Sequence, residues 1–186
     1  MNKSSLAILL VASLTSSLAF ANNHTFSLGF AHSDVKGFDN LNGVNVQYRY
    51  EFDSPLSLLG SFSWMKTHTK QDYLATRDVV HNDIDVNYCS LLAGPAYRIN
   101  DYVSLYALGG AAWVKATGNT RWVNYGNNEV NHDGISEKSA SFAWGVGMVM
   151  NPLDNLSINL GYEGTKASLG RDYTIKGFNV GMGYRF

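Results

Sequence analysis

From His24 to Phe186 the chain alternates large apolar residues with small polar ones, in segments separated by turn residues. Successive side chains of an extended strand point to opposite faces, so a period of two marks a β-strand with two unlike sides. The last segment, "GFNVGMGYRF" (177–186), is the clearest. Phe178, Val180, Met182, Tyr184 and Phe186 share one parity; Gly177, Asn179, Gly181, Gly183 and Arg185 share the other.

Seven earlier segments follow the same rule. Phe26, Leu28 and Phe30 are in phase in the first, and Val44, Val46, Tyr48 and Tyr50 in the second. The third sets Leu58, Phe62 and Trp64 against Ser61 and Ser63. The fifth sets Val103, Leu105, Ala107, Ala111 and Trp113 against Ser104, Tyr106, Gly110 and Ala112. The sixth carries Phe142, Trp144, Val146, Met148 and Met150, and the seventh Leu156, Ile158, Leu160 and Tyr162. The fourth is irregular. Its first half puts Ile84, Val86 and Tyr88 in phase, its second Leu91, Ala93 and Tyr97, and a bulge near Tyr88–Ser90 would let both sets face outward. No segment keeps a helical period, so the chain is all-β.

The connections alternate in length. "FDSPL", "RINDY" and "MNPLDNL" are short Asn/Asp/Pro turns. The others are longer and polar, over 34–42, 69–83, 118–138 and 167–172. Eight strands with short turns at one end and long loops at the other predict an eight-stranded antiparallel transmembrane β-barrel of the outer-membrane type. An even strand number puts both termini on the short-turn, periplasmic side, with the long loops extracellular.

Alternation alone also fits a soluble barrel with its apolar side inward. The composition of the polar parity decides between them. A water-facing surface needs interspersed charges, whereas this parity is Gly, Ser, Ala and Asn with isolated charges. Small residues suit the packed interior of a narrow eight-stranded barrel, so the large apolar set faces lipid. Trp64, Trp113 and Trp144, with Tyr48, Tyr50, Tyr97, Tyr162 and Tyr184, then supply interfacial aromatic girdles. The charges left inside are Arg49, Glu163 and Arg185, with Glu51 a further candidate. A buried charge needs a partner, which places Glu163 between Arg49 and Arg185 in a lumenal polar network.

Composition adds a destination. Lys3, the apolar run "LAILLVASL" and Ala19-Phe20-Ala21 read as a secretory signal peptide over 1–21, leaving the barrel in 22–186. Cys89 is the one cysteine, so no intramolecular disulfide exists. A net charge of -1 argues against nucleic acid.

The blocks "VNVQYRYE", "SPLSLLGSF", "LAGPAYRINDYVSLY", "FAWGVGMVMNPLDNLSINLGYE" and "VGMGYRF" resemble the Ail/OmpX/PagC/Lom family of enterobacterial outer-membrane proteins. The resemblance covers nearly all strands and short turns, in order, and departs in the long loops. It implies an eight-stranded outer-membrane barrel. For some members it implies adhesion, invasion, binding of host matrix or complement proteins, and serum resistance; for others, a stress-linked membrane role. It also implies that the terminal aromatics, Phe186 with Tyr184, are read by the barrel assembly machinery.

Chemistry in the chain is sparse. His24, His32, His68, His81 and His132 match no zinc spacing, and a lipid A-modifying enzyme needs a nucleophile, a base and an orienter that His32-Ser33 does not supply. No catalytic residue, metal or cofactor is expected. The basic residues Lys66, Lys70, Lys115, Arg121, Lys138, Lys166 and Arg171 fall at or beyond the long-loop ends of their strands. There they are candidates for lipopolysaccharide phosphates, or simply solvated charges. In the loops, Arg121, Trp122 and Tyr125, with Tyr73 and Arg77, have the aromatic and arginine character of interface anchors. Packing against a neighbouring loop, or extension of strands five and six as a protruding sheet, is the alternative; the favoured reading takes this loop, with "QDYLATRDVV", as the binding surface. The expectation is a monomeric, non-enzymatic surface barrel whose loops bind host or envelope partners. The alternatives are a structural barrel that meets only lipopolysaccharide, and a lipid A-modifying enzyme. Eight strands leave no aqueous channel, which disfavours a pore.

Overall fold

The computed structural model describes residues 23–35, 40–75, 78–124, 130–169 and 171–186; at 70–75, 78–82, 119–124, 130–133, 135, 168–169 and 171–172 only the backbone is described. The leader assigned to 1–21 and the loop candidates Arg77 and Tyr125 lie outside the described residues. The strands are β1 (His24–Val35), β2 (Leu41–Glu51), β3 (Leu56–Ala75), β4 (Asp78–Arg98), β5 (Val103–Asn124), β6 (Val130–Leu153), β7 (Leu156–Leu169) and β8 (Arg171–Arg185). Each pairs antiparallel with its neighbours in sequence, and β1 pairs with β8 to close the barrel.

Outward positions are apolar and exposed. Phe26, Leu28, Phe30, Phe62, Trp64, Trp113, Trp144, Val180 and Met182 all lie on the outer face. Inward positions are small or polar: Thr25, Ser27, Asn45, Gln47, Ser61, Ser63, Ser90, Ser157, Asn159 and Asn179 are buried. Such a surface is stable only against hydrocarbon, where apolar side chains need no shielding and a closed barrel satisfies every strand.

Two features differ from the sequence reading. The β4 register runs without a shift from Ala75↔Asp78 to Leu56↔Tyr97. There is no bulge at Tyr88–Ser90, and Val86 and Tyr88 are buried in the interior. Both halves of β4 are apolar because its two faces bury against different things: Leu91 and Tyr97 look outward, while Val86, Tyr88 and Leu92 enter an internal core with Met65, Val114 and Ile175. Among the described residues, the one register shift lies instead between β6 and β7, at Met150/Leu153.

The second difference concerns the long connections. Much of 69–83 and 118–138 is strand, not loop: β3 reaches Ala75, β4 starts at Asp78, β5 reaches Asn124 and β6 starts at Val130. β3 to β6 are 20, 21, 22 and 24 residues long, against 12, 11, 14 and 15 for β1, β2, β7 and β8. A tilted strand crosses a bilayer in about 9–11 residues. The four central strands therefore overshoot by roughly ten residues, which at about 3.3 Å each and a tilt near 45° stands 20–25 Å clear of the shorter strands. Pairing of β3 with β2 stops at Asn42↔Lys66, and pairing of β6 with β7 stops at Ala143↔Thr165. Above those points β3–β4–β5–β6 is a four-stranded sheet whose ladder with the flanking strands does not continue among the described residues.

Candidate functional site: the barrel interior and the protruding sheet

The interior is layered. At the turn end, Glu51 is the hub. It accepts from Arg185 Nη2 at 3.0 Å and from Arg98 Nη2, and Arg49 Nη1 stands 3.7 Å away. Arg49 is anchored as well by Nε to Ser57 Oγ and Nη2 to Ser104 Oγ, both 2.9 Å. Glu51 and Arg49 side chains are each 3% exposed, whereas Arg185 and Arg98 are 21% and 35% exposed, so a buried carboxylate and one buried guanidinium meet two further guanidiniums that reach the rim.

Glu163 is elsewhere, which corrects the assignment that set it between Arg49 and Arg185. It pairs with Gly177, eight residues along β8 from Arg185, or about 26 Å of strand. Its carboxylate accepts from Tyr88 Oη and from Ser63 Oγ at 3.1 Å. Glu51 takes the role instead because it ends β2, beside the ends of β4 and β8 that carry Arg98 and Arg185. Between the two acids lies a neutral layer, in which Gln47 Nε2 donates to Asn179 Oδ1 at 3.3 Å and to Tyr106 Oη at 3.5 Å. The Tyr106 ring has room because Gly147 and Gly161 face it; a Cβ at either would collide with its hydroxyl.

On the outer face, one hydrogen-bonded row runs Asn42, Lys66, Asn87, Lys115, Lys138 across β2 to β6. Trp64, Cys89 and Trp113 form the row one outward position nearer the turn end. Lys66 Nζ sits 4.8 Å from the Trp64 ring centroid. Lys66, Lys115, Lys138 and Lys166 are all exposed, and a groove of about 680 Å³ on this face is lined by Trp64, Lys66, His68 and Asp85. His68 Nδ1 lies 2.6 Å from Asp85 Oδ1, and His32 Nδ1 2.7 Å from Asn42 Oδ1. His32 and Ser33 project to opposite faces, Ser33 Oγ reaching Met65 Sδ inside the barrel. Of Arg171, Arg121, Trp122 and Tyr73 the backbone alone is placed: Trp122 and Tyr73 both pair with Val80, which brings β3, β4 and β5 together at the tip of the sheet.

At the opposite end the chain closes on itself. Phe186 N donates to His24 O at 2.9 Å, His24 N to Phe186 O at 3.2 Å, and the Phe186 ring stacks on His24 at 5.9 Å. Tyr184 stacks on Phe186 at 6.3 Å. Sequence reasoning missed Glu51 as the hub and Arg98 altogether. Their signal was positional, since both stand next to short turns.

An apolar exterior, a packed polar interior and closure of eight antiparallel strands define a transmembrane β-barrel of the outer-membrane type. Residues 2–186 match the model of the enterobacterial Ail/Lom protein family, and the chain belongs to that family. It is 43% identical over 175 residues to the virulence membrane protein PagC of Salmonella typhimurium, covering 93% of this chain and 92% of PagC. Its fold superposes on the crystal structure of Ail, the attachment invasion locus protein of Yersinia pestis, with TM-score 0.68 at 32% identity, covering 90% of this chain and 100% of Ail. A second Ail structure, in complex with the heparin analogue sucrose octasulfate, matches with TM-score 0.66 at 32% identity and the same coverage.

Proposed function

We propose that this protein is a non-enzymatic surface barrel whose protruding β3–β6 sheet binds host matrix or complement proteins, giving an adhesion or serum-resistance role. The one-sided lengthening of β3 to β6 carries this reading. A membrane anchor needs no such extension, and a sheet with open flanks offers its main chain to an added strand. Arg121, Trp122 and Tyr73 belong to the tips of these strands and, with Arg77 and Tyr125 from the intervening sequence, are its candidate anchors. The names of the relatives, a virulence protein and an attachment invasion protein, agree with this reading.

The outer lysines support a second contact. Lys66, Lys115, Lys138 and Lys166 belong beside lipopolysaccharide phosphates, over a tryptophan row that suits the acyl boundary; Arg171, the fifth candidate, falls instead on the β8 parity of Tyr173 and Ile175. Lys115 and Lys138 pair directly, a like-charge juxtaposition that an anion between them would relieve. This reading has the long strands pointing out of the cell and both termini in the periplasm, with 1–21 removed and Phe186 read during assembly.

The test trims the sheet and keeps the barrel. Thr69 pairs with Ile84 and Gly118 with Ile135, so replacing residues 70–83 and residues 119–134 each by Asn-Gly leaves two two-residue hairpins. Bacteria displaying the full protein should bind members of a panel of matrix and complement proteins. The trimmed protein should assemble normally and lose that binding. Equal binding by both would end the proposal.

A further inference from the structure

Inside the barrel at its long-strand end lies a cavity of about 360 Å³. Val35, Val86, Val114, Ala116, Tyr173 and Ile175 make most of its wall, and Thr67 and Glu137 add the polar groups. This inverts the interior's own rule. Toward the turn end the lumen is filled by charges, amides and hydroxyls, whereas here five β-branched aliphatic side chains, Ile84 among them, surround a space of ligand size.

Charge is segregated around the mouth. Lys66, Lys115, Lys138, Lys166 and Lys176 are exposed on outward positions of their strands. Glu137 is on the inward parity, exposed, and among the described residues it has no ion-pair partner. Among the described side chains, the cavity therefore meets an anion at its rim and no cation. Tyr173 adds an aromatic ring to the same wall, and an ammonium is attracted both to a carboxylate and to a ring face. Among the described side chains, a carboxylate or phosphate ligand would find no donor of positive charge there.

We propose that this cavity is a binding site for a small apolar molecule that carries a cationic centre, an arylalkylammonium in chemical class. The apolar part enters among Val86, Val114 and Ile175, and the ammonium stays at the mouth beside Glu137. Because the pocket lies inside the barrel, the site is independent of the sheet-tip surface proposed above and of the outer lysine row.

The experiment uses the full mature protein in lipid nanodiscs with methyl-labelled valine and isoleucine. Phenylbutylammonium is titrated in, with phenylbutanol and phenylbutanoate as its neutral and anionic counterparts. Saturable shifts are expected at Val86, Val114 and Ile175 and not at the lipid-facing Val146 and Val180, with the ammonium tighter than the alcohol and the alcohol tighter than the carboxylate. Glu137→Gln should weaken the ammonium about 2- to 5-fold, the size of an exposed charge pair, and leave the alcohol unchanged. Ala116→Leu, or Val114→Phe if the first variant fails to assemble, should remove binding of all three. Shifts confined to lipid-facing methyls and rising linearly with probe would mean partition into the bilayer and would overturn the proposal. So would equal affinities for the ammonium and the carboxylate in the unsubstituted protein, a reading that needs no variant to fold.

Discussion

Glu51→Gln is the most informative substitution in the barrel. It keeps the shape of the side chain and removes the charge from the centre of three guanidiniums. At an effective dielectric of about 20, a pair at the 3.0 Å of Arg185 attracts by ~5.5 kcal/mol, and one at the 3.7 Å of Arg49 by ~4.5 kcal/mol, before desolvation is subtracted. Desolvation of Glu51 and Arg49, both 3% exposed, cancels much of this in the intact cluster. Neutralising the hub leaves the desolvated Arg49 facing two like charges, and breaking a buried pair in this way costs about 3–5 kcal/mol. Urea unfolding of the barrel in lipid vesicles, followed by tryptophan emission, reads the loss directly. With a slope of about 2 kcal/mol/M the midpoint should fall by roughly 1.5–2.5 M at unchanged slope. Removing one cation as well, in Glu51→Gln with Arg185→Gln, should recover part of the loss, since it relieves repulsion. A fall below about 1 kcal/mol, or a double variant as unstable as the sum of the singles, would refute the hub.

Glu163→Gln should be milder, because one of the neutral hydroxyls of Tyr88 and Ser63 can still donate to the amide oxygen while the other turns to accept from the amide nitrogen; Tyr88→Phe should cost about 1–3 kcal/mol in the same unfolding assay by leaving the carboxylate short of a donor. Gly161→Val should lower stability by about 1–3 kcal/mol, since its side chain meets the Tyr106 hydroxyl and the Asn179 amide, and Tyr106→Ala in the same protein should recover part of that. Met182→Arg, on the outer face, should cost about 2–4 kcal/mol in thick bilayers and less as its height approaches the interface. Deleting Phe186 removes two main-chain bonds at the β1–β8 seam, so assembly yield in cells should fall; full yield would deny the residue both its sealing and its signalling role.

The strand parities of β1, β2, β5, β6, β7 and β8 were legible where one face meets lipid and the other a small polar lumen, because those two environments select opposite side chains; the inward Leu108, Val114, Val149 and Ile175 depart from that rule without disturbing the outward set. β4 misled where that contrast fails. Val86 and Tyr88 are as apolar as a lipid-facing pair, yet they serve an internal core that the composition rule did not anticipate. The long strand tips were unreadable for a related reason. Above the membrane neither face meets hydrocarbon, so stretches such as Thr117-Gly118-Asn119-Thr120-Arg121 are polar on both sides and carry no period, although their cross-strand pairing is regular. Lumenal charge could be listed from parity but not paired. Parity gives the face of a residue and says nothing of its height, and Glu51 and Glu163 share the inward face at different heights.

The claim on which the rest stands is that the large apolar parity looks at lipid and the glycine parity into the lumen. Nitroxide labels placed singly from Gly177 to Tyr184 in lipid vesicles test it residue by residue. Oxygen accessibility should peak at Phe178, Val180, Met182 and Tyr184 and fall at Gly177, Asn179, Gly181 and Gly183. The opposite phase, or no period of two, would contradict the account.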